Sequence, residues 1–390
     1  MKKIGIITLY YKNYNYGGLL QAYALASYLN NKGVPCEQIS FSFKKDTTVI
    51  KTNETLFQRI KRNGVKGFFH FIKREFNNYK NKPSKQKIRI LKKQANVLDE
   101  FISEIILHSK KIYNWKNISE SLNEYDAFIT GSDQVWNFKW YRPEFFLDFV
   151  PSSKIKISYA ASLGTNVLNE EQKAIMQNSL KDYKAISLRE RDCLSLINDI
   201  TPVQPIVVVD PTLLLSKSDW ESIVAKRVIK EKYVFCYFLE NNKQSKKLAQ
   251  KYAKEHNLKT VNILYASGGH FLKKDNFGDI KLETASPEEF LSLIKYAEYV
   301  FTDSFHAVIF SNVFKKQYFV FDRNKKGDMN SRIIDITNLF NQKERYVKNS
   351  IGNKFSYVNS LDKIDYSKEN PKFDELYEKS IKFIEESLGV

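Results

Sequence analysis

The sequence is poor in the residues that staple, metallate or anchor a protein. It holds three cysteines in 390 residues, Cys36, Cys193 and Cys236. Three thiols so widely spaced build neither a disulfide framework nor a zinc site, and such a chain suits a reducing cytoplasm. No apolar run approaches the roughly 20 residues of a membrane span. The opening MKKIGIITLYY meets Tyr10, Tyr11 and Lys12 early and has no small-residue cleavage site. It therefore reads as a strand rather than a signal peptide. H-E-x-x-H, G-x-S-x-G and the Walker loop are all missing. No cluster of His, Cys or carboxylates has metal-ligand spacing, so no metal or cofactor is expected. The net charge is +18, yet no helix-turn-helix, zinc-finger or aromatic RNA-binding signature accompanies it, and nucleic acid is not the expected partner. Arginine is scarce, with eleven against fifty-one lysines. Lysine can be compositional background. An arginine beside a site says more, because its planar fork grips carboxylate and phosphate bidentately.

What is present is an alternation of apolar strands and amphipathic helices. KIGIITLY at 3–10 reads as a buried strand, and Leu20, Ala24, Leu25, Tyr28 and Leu29 give the next helix its apolar face. Gly33 is its expected C-cap, and PCEQISFSF follows as a strand, so the chain opens as a βαβ unit of a parallel sheet. Residues 51–123 break the rhythm and read as a basic helical insertion. Between Arg59 and Lys93 stand thirteen basic residues and one acid, Glu75, with Phe68, Phe69, Phe71, Phe76 and Tyr79 interleaved. Such a stretch is either a solvated face or a surface for anionic lipid. The alternation resumes with YDAFITGSDQVWN and KIKISYAASLG, and SPEEFLSLI opens a helix with a capping box. The expected fold is α/β: two Rossmann-like, doubly wound domains facing a cleft. The expected division is 1–180, 181–345, and a tail at 346–390 whose helix packs back on the first domain.

Ligands of open α/β sheets bind beyond the carboxyl ends of strands, and polar residues collect there. After the first strand come Asn15, Gly17, Gly18 and Gln21; paired glycines at a helix start make either a tight turn or a close approach for an anion. After DAFIT come Ser132, Asp133, Gln134, Trp136 and Asn137, a plain turn or a sugar-binding cluster. Arg189 and Arg191, two of the eleven arginines, follow KAISL; Glu190 and Asp192 beside them could be simple ion-pair partners. Asp210 ends IVVVD as a turn residue or a cleft carboxylate. Asp303 and Ser304 end YVFTDS and Phe305 and His306 follow, with His306 in the first turn of the next helix. A cationic histidine there is opposed by the helix dipole unless Asp303 or an anionic ligand compensates. His270, in SGGH, is a weaker cleft candidate. A lone histidine near an apolar run is most often structural, but five strand ends converging on Gly, Asn, Gln, Ser, Asp, Arg and His argue for a site.

The set YNYGGLLQAYAL, DAFITGSDQVWN, KISYAASLG, SLRERD, VVDPTLL and TDSFHAVIFS with NSRI resembles the polysaccharide pyruvyl transferase family over about residues 4–335. The resemblance implies a GT-B-like two-domain fold. It implies transfer of pyruvate from phosphoenolpyruvate to a sugar, as a ketal on two hydroxyls of a polysaccharide or its lipid-linked precursor. It makes His306 the general acid and Arg189 a contact to phosphoenolpyruvate, with the first domain on the acceptor side and the second on the donor side. Many members have Arg-Leu-His where this chain has Ser304-Phe305-His306; Arg332, in NSRI, is the candidate substitute. A cytoplasmic enzyme in peripheral contact with an anionic membrane is the corresponding expectation. Two rivals remain. One is a nucleotide-sugar glycosyltransferase of the same plan, with Asp303 as base. The other is a sugar-binding protein without turnover.

Overall fold

The computed structural model describes residues 3–42, 85–264, 277–323 and 330–389. His270 and residues 59–84 of the basic stretch lie outside the described residues. Thirteen strands are described: β1 (Ile4–Ile7), β2 (Cys36–Phe41), β3 (His108–Tyr113), β4 (Ala127–Thr130), β5 (Ile155–Ala161), β6 (Ala185–Leu188), β7 (Ile206–Val207), β8 (Tyr233–Tyr237), β9 (Lys259–Ile263), β10 (Ile280–Leu282), β11 (Tyr299–Thr302), β12 (Gln317–Phe321) and β13 (Tyr346–Val347). They form two sheets, ordered β3-β2-β1-β4-β5-β6-β7 and β10-β9-β8-β11-β12-β13. Every pairing is parallel. The strands read as near-continuous apolar runs because helices cover both faces. In each sheet the order reverses beside a central strand, β1 or β8, and a crevice opens there at the carboxyl ends.

The helices that matter for the site are α1 (Tyr16–Asn31), α2 (Lys85–Glu104), α3 (Glu170–Leu180), α4 (Leu194–Asn198), α5 (Lys217–Glu221), α6 (Lys243–Glu255), α7 (Pro287–Lys295), α8 (Phe305–Val313), α9 (Ser331–Leu339), α10 (Lys354–Ser360) and α11 (Pro371–Leu388). Helix α1 starts where the Asn15 side chain accepts from the Gly17 N–H at 3.0 Å, a standard N-cap. Twelve of its sixteen residues are buried, because both sheets press on it. Tyr16 stacks on Phe290 of α7 with centroids 4.6 Å apart, and its hydroxyl donates to the Ala285 carbonyl at 2.7 Å. One apolar cluster therefore runs from Ile6 through Leu20 and Leu25 to Phe235 and Phe290. Truncating any of those leucines to alanine costs about 2–5 kcal/mol. Helix α2 adds a bridge, with Gln94 Nε2 donating to the Tyr16 hydroxyl at 2.9 Å and the Ala285 carbonyl at 3.0 Å. Helix α11 crosses back to the first sheet. The Val209 N–H donates to Ser380 Oγ at 2.9 Å, and Phe383 packs on Tyr159 of β5.

Two expectations change. Residues 108–113, read as part of a helical insertion, form the edge strand β3. Its sequence HSKKIY buries only Ser109 and Tyr113, so the polar edge masks the strand pattern. The division at residue 181 also moves. Strands β6 and β7 pair with β5 and with each other in the first sheet, and the second sheet begins with β8 at Tyr233. Alternation of strand and helix does not by itself say which sheet a strand joins.

Candidate functional site

At the carboxyl ends, one carboxylate gathers residues from both domains. Asp210 follows β7 and caps the turn Pro211–Leu213: its Oδ1 accepts from the Thr212 N–H at 3.0 Å and Thr212 Oγ1 at 2.7 Å. Its Oδ2 accepts from Arg189 Nη1 at 3.1 Å and Ser132 Oγ at 3.2 Å. The same oxygen lies 3.7 Å from His306 Nε2. Burial pushes the Asp210 carboxyl up, but His306, Arg189 and the Thr212 N–H outweigh it and hold the group well below the usual carboxylate range. Asp210 is thus a fixed anion that faces a guanidinium on one side and an imidazole on the other.

Arg189 closes β6 and is buried, its side chain 3% exposed. Besides Asp210 it has Glu190 Oε1 at 3.7 Å and Asp133 Oδ1 at 3.8 Å from its Nη2. Its guanidinium lies 5.0 Å over the Phe305 ring, a cation–π geometry. Burial opposes its charge, yet Glu190, Asp210 and Asp133 together keep its pKa above the ordinary arginine value. Nε and Nη2 of Arg189 have no hydrogen-bond partner, so two sets of donors stand ready inside the protein. Leaving buried donors unmet costs about 1–3 kcal/mol each. Glu190 accepts from Ser162 Oγ and lies 3.9 Å from Arg332 Nε. Arg332, on α9, also faces the Gln134 carboxamide; with that amide turned so its oxygen meets the guanidinium, it accepts from the two Nη atoms at 2.6 and 3.1 Å. Burial, then repulsion from Arg189, lowers Arg332 to about 10, still cationic at neutral pH.

His306 sits in the first turn of α8, capped by Ser304 Oγ, which accepts from the Ala307 N–H at 3.4 Å. Its ring stands edge-on to Phe305, centroids 5.2 Å apart. On the other side it touches α1 of the first domain. A Cβ built on Gly17 would fall 2.0 Å from His306 Nδ1. The glycine is there because the imidazole occupies the space a side chain would need. Beside it, a Cβ on Gly18 would meet the Leu9 carbonyl at 3.0 Å. Arg189, Asp210 and Phe305 also floor a groove of about 620 Å³ that runs out between α9 and α11.

The expected residues divide into those that converge and those that do not. Arg189, Asp210, Phe305, His306, Gly17, Ser132, Asp133, Gln134 and Arg332 meet in one place. Arg189 comes from the first sheet and His306 from the second domain, so the pair straddles the cleft rather than sharing the donor side. Trp136 is fully buried, stacks on Phe146 and donates to the Phe145 carbonyl at 3.2 Å; it is core and cannot stack on a sugar. Asn137 caps the turn at Phe138, accepting from the Lys139 N–H at 2.9 Å. Gln21 is pinned inside by bonds to the Gly18 carbonyl and Thr8 Oγ1. Asp303 turns away: its carboxylate accepts from the Leu239 and Glu240 N–H groups at 2.7 and 3.0 Å. Burial raises its pKa against those bonds and Arg323, and that geometry fits a loop pin rather than the base of the glycosyltransferase rival. Arg191 is exposed at the groove. Glu190, read as a possible ion-pair partner, does pair with Arg189; Ser162, which donates to Glu190, had no signal in the sequence.

Two sheets, two crevices and a polar cluster between them define a GT-B-like α/β protein. Solved structures share the architecture. S. aureus MnaA, determined with UDP, aligns over 100% of this chain and 97% of its own at 12% identity and a TM-score of 0.53. The UDP-GlcNAc 2-epimerase of Methanocaldococcus jannaschii aligns over 98% and 99% at 12% identity and 0.52. That of Rickettsia bellii aligns over 100% and 96% at 11% and 0.51. At such identities the likeness concerns the fold alone. No curated protein matches in sequence. The family model of polysaccharide pyruvyl transferases matches residues 15–325, and the chain belongs to that family.

Proposed function

We propose that this chain transfers pyruvate from phosphoenolpyruvate to two hydroxyls of a sugar in a polysaccharide or its lipid-linked precursor, forming a ketal. The observation that carries the reading is Arg189, buried on Phe305 with unmet Nε and Nη2 donors, sharing Asp210 with His306. Phosphoenolpyruvate offers a carboxylate and a phosphate, and a fork of free guanidinium donors suits either. His306 lies against Asp210, its Nε2 3.7 Å from Oδ2. Its Nε2, without a hydrogen-bond partner, delivers the proton to the methylene carbon of the donor. C2 then becomes oxocarbenium-like, a sugar hydroxyl attacks it, and its proton passes to a base or solvent. Phosphate leaves with the C2–O bond pair, and a second hydroxyl closes the ring. Acid help of this kind is worth about 10²–10⁴ in rate.

Family membership supports the transferase class. Arg332, held by Glu190 and Gln134, is the second cation for the donor where Ser304 only caps α8. Among the described residues no helix is long and apolar enough to cross a membrane, and we assign the basic stretch 59–93 to peripheral contact with an anionic membrane face. Its described part, at the start of α2, already commits Arg89 to Glu283 at 2.8 Å. The deciding experiment incubates the protein with phosphoenolpyruvate and a glycan panel. The expected result is phosphate release coupled to an acceptor that gains pyruvate less one water. Release of a nucleotide from a nucleotide-sugar, with phosphoenolpyruvate untouched, would make it a glycosyltransferase and overturn the reading.

A further inference from the structure

The groove beside Arg189 is too large for the donor alone. Its volume, about 620 Å³, lies in the 300–1,000 Å³ range that holds drug-sized ligands, whereas phosphoenolpyruvate has only about ten non-hydrogen atoms. The outer half of the groove is built from residues beyond the matched span 15–325: Lys343, and Lys372, Glu375, Leu376 and Lys379 of α11. Those four positions of α11 follow i, i+3, i+4, i+7, one face of a helix. Lys372 and Lys379 are seven residues apart, about 10 Å along the axis. A cationic edge of that length exceeds the reach of one small anion.

Charge sharpens the point. The floor is balanced: Arg189 faces Asp210, with Nη1 3.1 Å from Oδ2. The rim is not. Arg191, Lys343, Lys372 and Lys379 outnumber Asp335 and Glu375 there, and burial, then repulsion from Asp192, pushes the Asp335 carboxyl up from its ordinary value. Among the described residues, Lys343, Lys372 and Lys379 form no ion pair. Between rim and floor the walls are apolar, including Val208, Leu213, Ile336 and Leu376.

Resting on the pyruvyl transfer reading, we infer that this groove is the acceptor subsite. Its ligand is a sugar esterified to phosphate or pyrophosphate. The anionic linkage lies along Lys343, Lys372 and Lys379, the sugar lies over the apolar wall, and its hydroxyls reach the floor at Phe305 and Arg189. The same linkage occurs in lipid-linked and in nucleotide-linked sugars.

The test uses the full chain, saturating phosphoenolpyruvate and inorganic pyrophosphate as probe, followed by calorimetry. Wild type is expected to bind pyrophosphate with the donor present. The double variant Lys372→Glu/Lys379→Glu is expected to bind it at least tenfold more weakly, with donor affinity unchanged. Lys247→Glu/Lys254→Glu on α6, of equal charge change outside the groove, is expected to match wild type. UDP-N-acetylglucosamine and a short-chain polyprenyl-pyrophosphoryl sugar are then titrated as competitors; the tighter one names the source of the linkage. Equal binding by both double variants overturns the inference. So does competition between pyrophosphate and phosphoenolpyruvate for one site, or failure of both competitors. Lysine-dependent pyrophosphate binding without donor binding would instead sink the pyruvyl transfer reading and leave the groove standing.

Discussion

Gly17→Ala is the most informative single change. The added methyl would lie 2.0 Å from His306 Nδ1, 2.5 Å from Cε1 and 2.6 Å from Cγ, against the 3.4 Å at which ordinary contact begins. The imidazole must withdraw by more than 1 Å, or the two domains must part. Misplacing a reacting group by about 1 Å costs about 10²-fold in rate. The backbone itself does not object. Gly17 is helical with no positive φ, and alanine in place of glycine in a helix gains up to about 1 kcal/mol. We therefore expect kcat for phosphoenolpyruvate-dependent phosphate release to fall about a hundredfold, while the melting temperature stays within a few degrees of wild type. The same substitution in a His306→Ala background should change kcat little further, because the group it displaces is gone; such non-additivity marks a shared partner. Wild-type kcat in Gly17→Ala, or full additivity with His306→Ala, would refute the reasoning.

The other predictions probe the remaining parts of the cluster. His306→Ala should lower kcat about 10²–10⁴-fold without a change in melting temperature, and Arg189→Lys, which keeps the charge but loses the fork, should raise KM for phosphoenolpyruvate about tenfold or more in steady-state kinetics. Asp210→Asn should destabilise by about 3 kcal/mol at neutral pH, since it breaks a buried charge pair. Because the folded pKa of Asp210 is depressed, its stabilisation is present above about pH 4, the unfolded value, and fades as pH falls through the folded value; urea melts of wild type and variant should converge in acid. Trp136→Ala should cost about 3–5 kcal/mol in the same melts and leave acceptor KM of the folded variant unchanged. Cosedimentation with anionic liposomes should occur at low salt and fall steeply above about 0.15 M, where screening is short-ranged; salt-independent binding, or none, would remove the membrane assignment.

The fold was legible because its signals are local and repeated. Ser286 with Glu289 and the apolar run at 299–302 predict α7 and β11 almost to the residue, and the paired glycines Gly17 and Gly18 mark the start of α1. Edges were harder. The strand at 108–113 shows lysines to solvent, and β13 is two residues, too short for any period, while the strand read at IVVVD is only Ile206–Val207 long. The site was legible as a collection of strand ends, but not as a geometry. Nothing in SLRERD says that Arg189 reaches Asp210 rather than Asp192. Trp136 looked like a sugar platform because an aromatic after a glycine turn does so often; only packing against Phe146 and Tyr183 reveals it as core. Asp303 was misread for the same reason, since backbone amides of a distant loop claim its oxygens.

Helix α11 has a consequence for how the chain is made. It is synthesised after everything it covers. The bond from Val209 to Ser380 spans 171 residues, and at about 5–20 residues per second some ten to thirty seconds of translation separate its two ends. Throughout that interval the nascent first sheet shows Tyr159 and the valines after β7 without their cover, and one wall of the groove does not exist. Chaperone engagement of ribosome-bound intermediates should therefore peak between the emergence of Val209 and that of Leu388.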